Sequence, residues 1–139
     1  MQAVKKAMFD PFEYLMLRHK AGLLKTGFTN TLGKVSYQVP CHLRVQNIGL
    51  KTRDILMLVP GTEIDVIERC SGHDGTYAVK KEFHDISKKI ARPVVSKVKK
   101  SDAAHFVSDC PMAAEQIAQE LENQSGEHPL GLLRMAYGI

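Results

Sequence analysis

Short apolar runs along this chain alternate with stretches in which apolar residues recur every three or four positions, the pattern of strands interleaved with amphipathic helices. Val35-Ser36-Tyr37-Gln38-Val39-Pro40, residues 63–69 with Ile64, Val66 and Ile67, and residues 105–109 with Phe106 and Val107 predict three strands. Between the first two, Ile48, Ile55, Leu56 and Val59 predict a short helix that stops at Pro60-Gly61. From Thr76 onward Val79, Phe83, Ile86, Ile90 and Val94 predict a long helix that packs this stripe on the sheet, with Pro93 kinking or restarting it. After Pro111, Ile117 and Leu121 mark a further helix ended by Gly126, and residues 128–137 a last short one. Strand–helix–strand spacing of this kind requires right-handed crossovers and parallel pairing.

Ahead of the first strand, Asp10-Pro11-Phe12-Glu13 opens a helix to about residue 20: Asp10 caps, Pro11 fits the first turn and Glu13 completes a capping box. Gly22, Gly27 and Gly33 then predict an irregular connection. The expected fold is α/β: a small three-layer domain over residues 35–139, with a short parallel sheet of about three strands in Rossmann-like order flanked by helices. Residues 1–34 form an N-terminal helical extension and connection.

Composition narrows the function. At 139 residues and 44% hydrophobic content the chain supports one domain with a real core. No apolar run reaches membrane-spanning length, and the N-terminal residues lack the apolar segment of a secretory signal, which implies the cytoplasm. The net charge of +4 is concentrated in Lys88, Lys89, Lys97, Lys99 and Lys100. With no aromatic platform among them, they read as a solvated helix face rather than a nucleic-acid surface. Three cysteines, an odd number, argue against a disulfide framework and leave metal ligation, redox chemistry or packing.

The three thiols stand at equivalent places: Cys41, Cys70 and Cys110 each follow a predicted strand and precede a predicted helix. Parallel strands with right-handed crossovers put all three at one sheet edge, the edge where α/β proteins bind ligands. Strand neighbours lie about 4.8 Å apart, so the sulfurs are expected in one pocket if the first strand is central. Three thiolates there suit an iron–sulfur cluster or a zinc ion, with His42, His73, Asp74 or an outside group completing the set. The separations, 28 residues and then 39, contain no CxxC knuckle, so packing cysteines remain an open alternative. Gly72 and Gly75 allow positive φ in the loop after Cys70. In that loop His73 can ligate, donate to a cluster or cap a neighbour, and Asp74 orients the backbone.

The ordered segments Pro40-Cys41-His42-Leu43, Val59-Pro60-Gly61-Thr62, the ten residues from Glu68 to Tyr77, Ser108-Asp109-Cys110-Pro111 and His128-Pro129-Leu130 resemble the cysteine-rich CCG domain. That domain occurs in the B subunit of heterodisulfide reductase and in the C subunit of anaerobic glycerol-3-phosphate dehydrogenase, and the whole segment is most similar to the C-terminal domain of heterodisulfide-reductase-related iron–sulfur proteins. The resemblance implies an iron–sulfur-binding domain or subunit of an oxidoreductase. Its cluster, 4Fe–4S or a variant, is held by Cys41, Cys70 and Cys110 with His42 and His73 beside it. It further implies a ferredoxin-type iron–sulfur domain or subunit as redox partner, and attachment to the membrane surface only through such a partner. Ser71 stands where the family has the second thiol of its pair, and Ala113 where it has the last thiol of the closing CxxC. That departure gives the alternative, a degenerate CCG domain without a cluster, acting as a docking or zinc-stabilised module. A thiol–disulfide exchange site is a third possibility, with Cys41 as resolving thiol.

Overall fold

β1 (Gly33–Gln38) is the central strand of a three-stranded sheet, with β2 (Thr62–Ile67) on one side and β3 (His105–Ser108) on the other, both parallel to it. The computed structural model describes every residue except Asp74, Thr76 and Asn123. Register runs Gly33 to Thr62 through Gln38 to Ile67 on one side, and Val35 to His105 through Gln38 to Ser108 on the other. The α/β class and the parallel strands are as expected, and the first strand is central, the condition for the three thiols to share a pocket.

Alternation along β1 divides the core. Val35, Tyr37 and Val39 enter one layer with Leu43, Ile55, Leu56, Val59 and Leu132. On the other face Ile67 and Phe106 pack with Ala91, Val94, Val95, Val98 and Ile117. Two faces covered by helices explain why β1 is fully buried from Val35 to Gln38. Phe12, 1% exposed, belongs to the first layer and fixes α2 (Pro11–Lys20) against α4 (Lys51–Leu56). The Asp10–Glu13 capping box of α2 is present in both directions. A short α1 (Gln2–Ala7), with no buried residue, precedes it.

Three helices differ from the sequence pattern, each for a local reason. The helix expected from Ile48 to Val59 is confined to α4 (Lys51–Leu56), and a separate α3 (Cys41–Gln46) precedes it, ending where Asn47 takes the left-handed region at φ 55° with Gly49 following at φ 78°. Asn and Gly tolerate that region best.

A 3-10 turn, Lys81–Phe83, leads into α5 (His84–Ser101), which continues through Pro93. The start expected at Thr76 lies outside the described residues. Most of the stripe expected to be buried is not: Val79, Ile86 and Ile90 are exposed, Val94 is buried as expected, and α5 otherwise buries Ser87, Ala91, Val95 and Val98. The cause is close approach, since a Cβ on Gly72 would collide with the Ser87 carbonyl and crowd the Ala91 amide. Only small side chains fit on the α5 face that meets this loop.

α6 (Pro111–Ala118) stops eight residues short of Gly126. The chain after it turns back to the free edge of β3, where the Glu127 amide donates to Phe106 O at 2.9 Å and Ser108 N–H donates to Glu127 O at 3.2 Å. Gly126 permits the return, because a Cβ there would lie 2.7 Å from Ala114. α7 (Pro129–Tyr137) closes the domain as expected, with His128 at its N-cap accepting from the Leu130 amide. No helix is long and apolar enough to cross a membrane among the described residues.

Candidate metal centre

β1 ends at Gln38, and Val39 and Pro40 carry the chain on to Cys41, the first residue of α3. β2 ends at Ile67, and Cys70 follows three residues later; β3 ends at Ser108, and Cys110 is the N-cap of α6. All three thiols therefore sit further beyond their strands than the sequence pattern suggested, yet all reach the same edge. Cys41, Cys70 and Cys110 line one cavity of about 140 Å³, together with Pro40, His42, Ser71, His73 and Ala113. Cys41 is exposed at its rim, and Cys70 and Cys110 are half-buried. Roomier surface clefts, such as the one of about 410 Å³ along Lys88, Arg92 and Lys99, carry neither thiol nor imidazole.

The polar contacts of the cavity are directed at its sulfurs. Gly72 N–H donates to Cys70 Sγ at 3.4 Å, and the Arg44 guanidinium donates to Cys41 Sγ at 3.1 Å. His73 Nε2 lies 3.9 Å from Cys110 Sγ, and its Nδ1 is 2.6 Å from Ser71 Oγ. Gly72 and Gly75 have the expected positive φ, at 81° and 59°. Asp74, expected to orient this loop, lies outside the described residues. His128 is engaged as a helix cap.

Three polar side chains behind the cavity, Gln38, Ser87 and Asp109, support it, and only Asp109 falls within a motif of the sequence. The Gln38 amide, 1% exposed, donates to Arg69 O at 2.8 Å and to Val39 O at 3.1 Å, and accepts from Ser108 Oγ at 2.8 Å. Ser108 Oγ in turn accepts from the Cys110 amide at 3.3 Å. One side chain thus ties the loops before Cys70 and Cys110 to the central strand. Ser87 Oγ donates to Gly72 O at 2.6 Å and accepts from Gln116 Nε2 at 2.8 Å, anchoring the Cys70 loop to α5 and α6. Asp109, next to Cys110, accepts from Tyr37 OH at 2.6 Å and from Thr52 Oγ1 at 2.7 Å. Burial raises the Asp109 carboxyl above its usual range, opposed by those two hydroxyl bonds, and burial followed by the Asp109 charge pushes the Tyr37 phenol well above its own. The signal available in the sequence was a polar residue inside an apolar run: Gln38 between Tyr37 and Val39, and Ser108 after Phe106-Val107.

The donor chemistry of the cavity fits a thiophilic metal centre: three sulfurs and an imidazole in one place, with N–H groups aimed at two of the sulfurs. Among the described residues no three Cys, His, Asp or Glu side chains are already closed to metal-ligating distance. Binding would require the donors of the cavity to close further on one another.

Fold and site together define a small α/β domain that gathers three strand-end thiols in one cavity. The chain is similar to the C subunit of anaerobic glycerol-3-phosphate dehydrogenase from Escherichia coli K12, with 36% identity over 104 residues, 74% of this chain and 26% of that protein. The protein of the same name from E. coli O157:H7 matches to the same extent. The expected resemblance to that protein is thus found, and the chain spans about a quarter of the length of these relatives. No family model matches the chain, and no solved structure matches it.

Proposed function

We propose that this chain is an iron–sulfur-binding electron-transfer domain of an oxidoreductase of the glycerol-3-phosphate-dehydrogenase or heterodisulfide-reductase type. Cys41, Cys70 and Cys110 hold the cluster. One observation carries the reading: the five positions that the CCG resemblance assigns to family thiols are Cys41, Cys70, Ser71, Cys110 and Ala113, and all five line the same cavity. Topology brings every strand end to one edge, but it does not by itself set all five of these positions around one small cavity.

A bound cluster would supply one-electron transfer at this edge of the sheet. The chain's own part is to present the thiolates, to donate N–H groups from Gly72 and Arg44 to their sulfurs, and to hold the loops with Gln38 and Ser87. Hydrogen bonds to ligating sulfurs are one of the means by which proteins set a cluster's potential. The partner is a ferredoxin-type iron–sulfur domain or subunit, and the setting is the cytoplasm, with any membrane association made through that partner.

Anaerobic purification with iron and sulfide analysis tests this. The expected result is a coloured protein with iron and sulfide bound. A colourless protein with neither, even after reconstitution, overturns it. The buried apolar Ala113 in a thiol's place favours one other reading, a zinc-stabilised docking module. Tightly bound zinc in place of iron would select that one.

A further inference from the structure

We infer that His73 is the fourth ligand of this centre and shares a single metal ion with Cys110. The inference rests on the metal-binding reading above and goes beyond it by naming the donor that replaces the missing thiols and the ion it binds.

Distance is the first support. A thiolate sulfur at about 2.3 Å and an imidazole nitrogen at about 2.0–2.1 Å from one tetrahedral ion lie about 3.6 Å from each other. His73 Nε2 and Cys110 Sγ, at 3.9 Å, are already within a few tenths of an ångström of that spacing. The pair needs only slight closure, whereas donors on two different ions of a cluster would stand further apart.

Ring orientation is the second. Metal-bound histidines commonly donate their other ring N–H to an oxygen, which fixes the tautomer and aims the ligating nitrogen. Ser71 Oγ, on a residue only 3% exposed, sits 2.6 Å from Nδ1, so Nε2 is the nitrogen left facing the cavity and Cys110. Ser71 stands where the resembling domains have their second paired thiol. Its hydroxyl is committed to His73, so the exchange turns a ligand position into a support for a ligand two residues on. Ala113 offers no donor, and His42 lines the cavity from an exposed first turn of α3.

The resulting set is three cysteines and one histidine, with two protein donors on one ion. Four protein ligands on a two-iron cluster give two per iron, whereas four on a cubane give one per iron. The geometry therefore points to a two-iron centre rather than a cubane.

The test uses the full chain reconstituted anaerobically with ferrous iron and sulfide, reduced with dithionite and examined by pulsed electron paramagnetic resonance, with and without 15N-histidine labelling. The expected spectrum of the parent shows the strong hyperfine coupling of a directly bound histidine nitrogen. His73→Cys should keep iron and lose that coupling, His42→Ala should keep both, and Ser71→Ala should keep the coupling while weakening metal affinity about tenfold or more. An iron-loaded parent without bound-nitrogen coupling, or His73→Ala with a spectrum identical to the parent's, overturns the inference and leaves the cluster reading standing. A parent that takes up no iron overturns both.

Discussion

Gln38 is buried on the central strand, and its side chain uses both ends of its amide: the nitrogen reaches Arg69 O and the oxygen receives Ser108 Oγ. Replacing it by leucine would fill the space but strand the buried Ser108 hydroxyl and take the donors from Arg69 O and Val39 O. Each such orphan costs about 1–3 kcal/mol, so Gln38→Leu should lower unfolding stability in urea by about 2 kcal/mol or more. Gly72 is the second sensitive residue. It combines φ 81° with contact against the α5 backbone, so Gly72→Ala meets both strain and collision and should lose about 3 kcal/mol or more, read by the same denaturation. Tyr37 gives a pH prediction. Its phenol is raised by burial, so the folded state favours the protonated form. The stability this contributes is complete below the ordinary phenol value of about 10 and is lost as pH climbs above it. Tyr37→Phe should remove that alkaline loss, while costing about 1–3 kcal/mol near neutrality because Asp109 Oδ2 loses its donor. None of these three roles follows from residue type, because each depends on a partner 15 to 72 positions away.

Among the elements, strands were legible and helix faces less so. β1 and β3 fall on runs buried at most positions between the helical layers, and the edge strand β2 on an alternation that leaves Glu63 and Asp65 exposed. The Asp10 box and the prolines that open α6 and α7 were equally readable, being local chemistry. α5 was not, because its larger apolar residues face outward. The choice of face was made by the Gly72 loop, which admits only Ser87 and Ala91 beneath it. This makes a comparison on one helix: Val94→Ala, at a fully buried position, should cost about 2 kcal/mol, whereas Ile90→Ala, 39% exposed, should stay within about 0.5 kcal/mol. Equal losses in thermal or urea unfolding would contradict the assigned face. α3 was hidden too, since the apolar spacing that marks α4 begins only at Ile48, after the Asn47 cap.

For the whole molecule, topology does what sequence proximity does not. Parallel strands joined by right-handed crossovers deliver every strand end to one edge, so the convergence of Cys41, Cys70 and Cys110 was readable from three strand–cysteine–helix junctions. The contacts that sort the donors were not readable, because the Ser71–His73 and His73–Cys110 pairings are properties of the folded loops. The central claim is that the three thiols serve one centre. Iron bound per chain, measured after identical anaerobic reconstitution of the parent and of Cys41→Ala, Cys70→Ala and Cys110→Ala, tests it most directly. The account predicts that each single change, made in a protein that remains folded by circular dichroism, abolishes or severely reduces iron binding. Any one of the three variants retaining the parent's full iron content would contradict it.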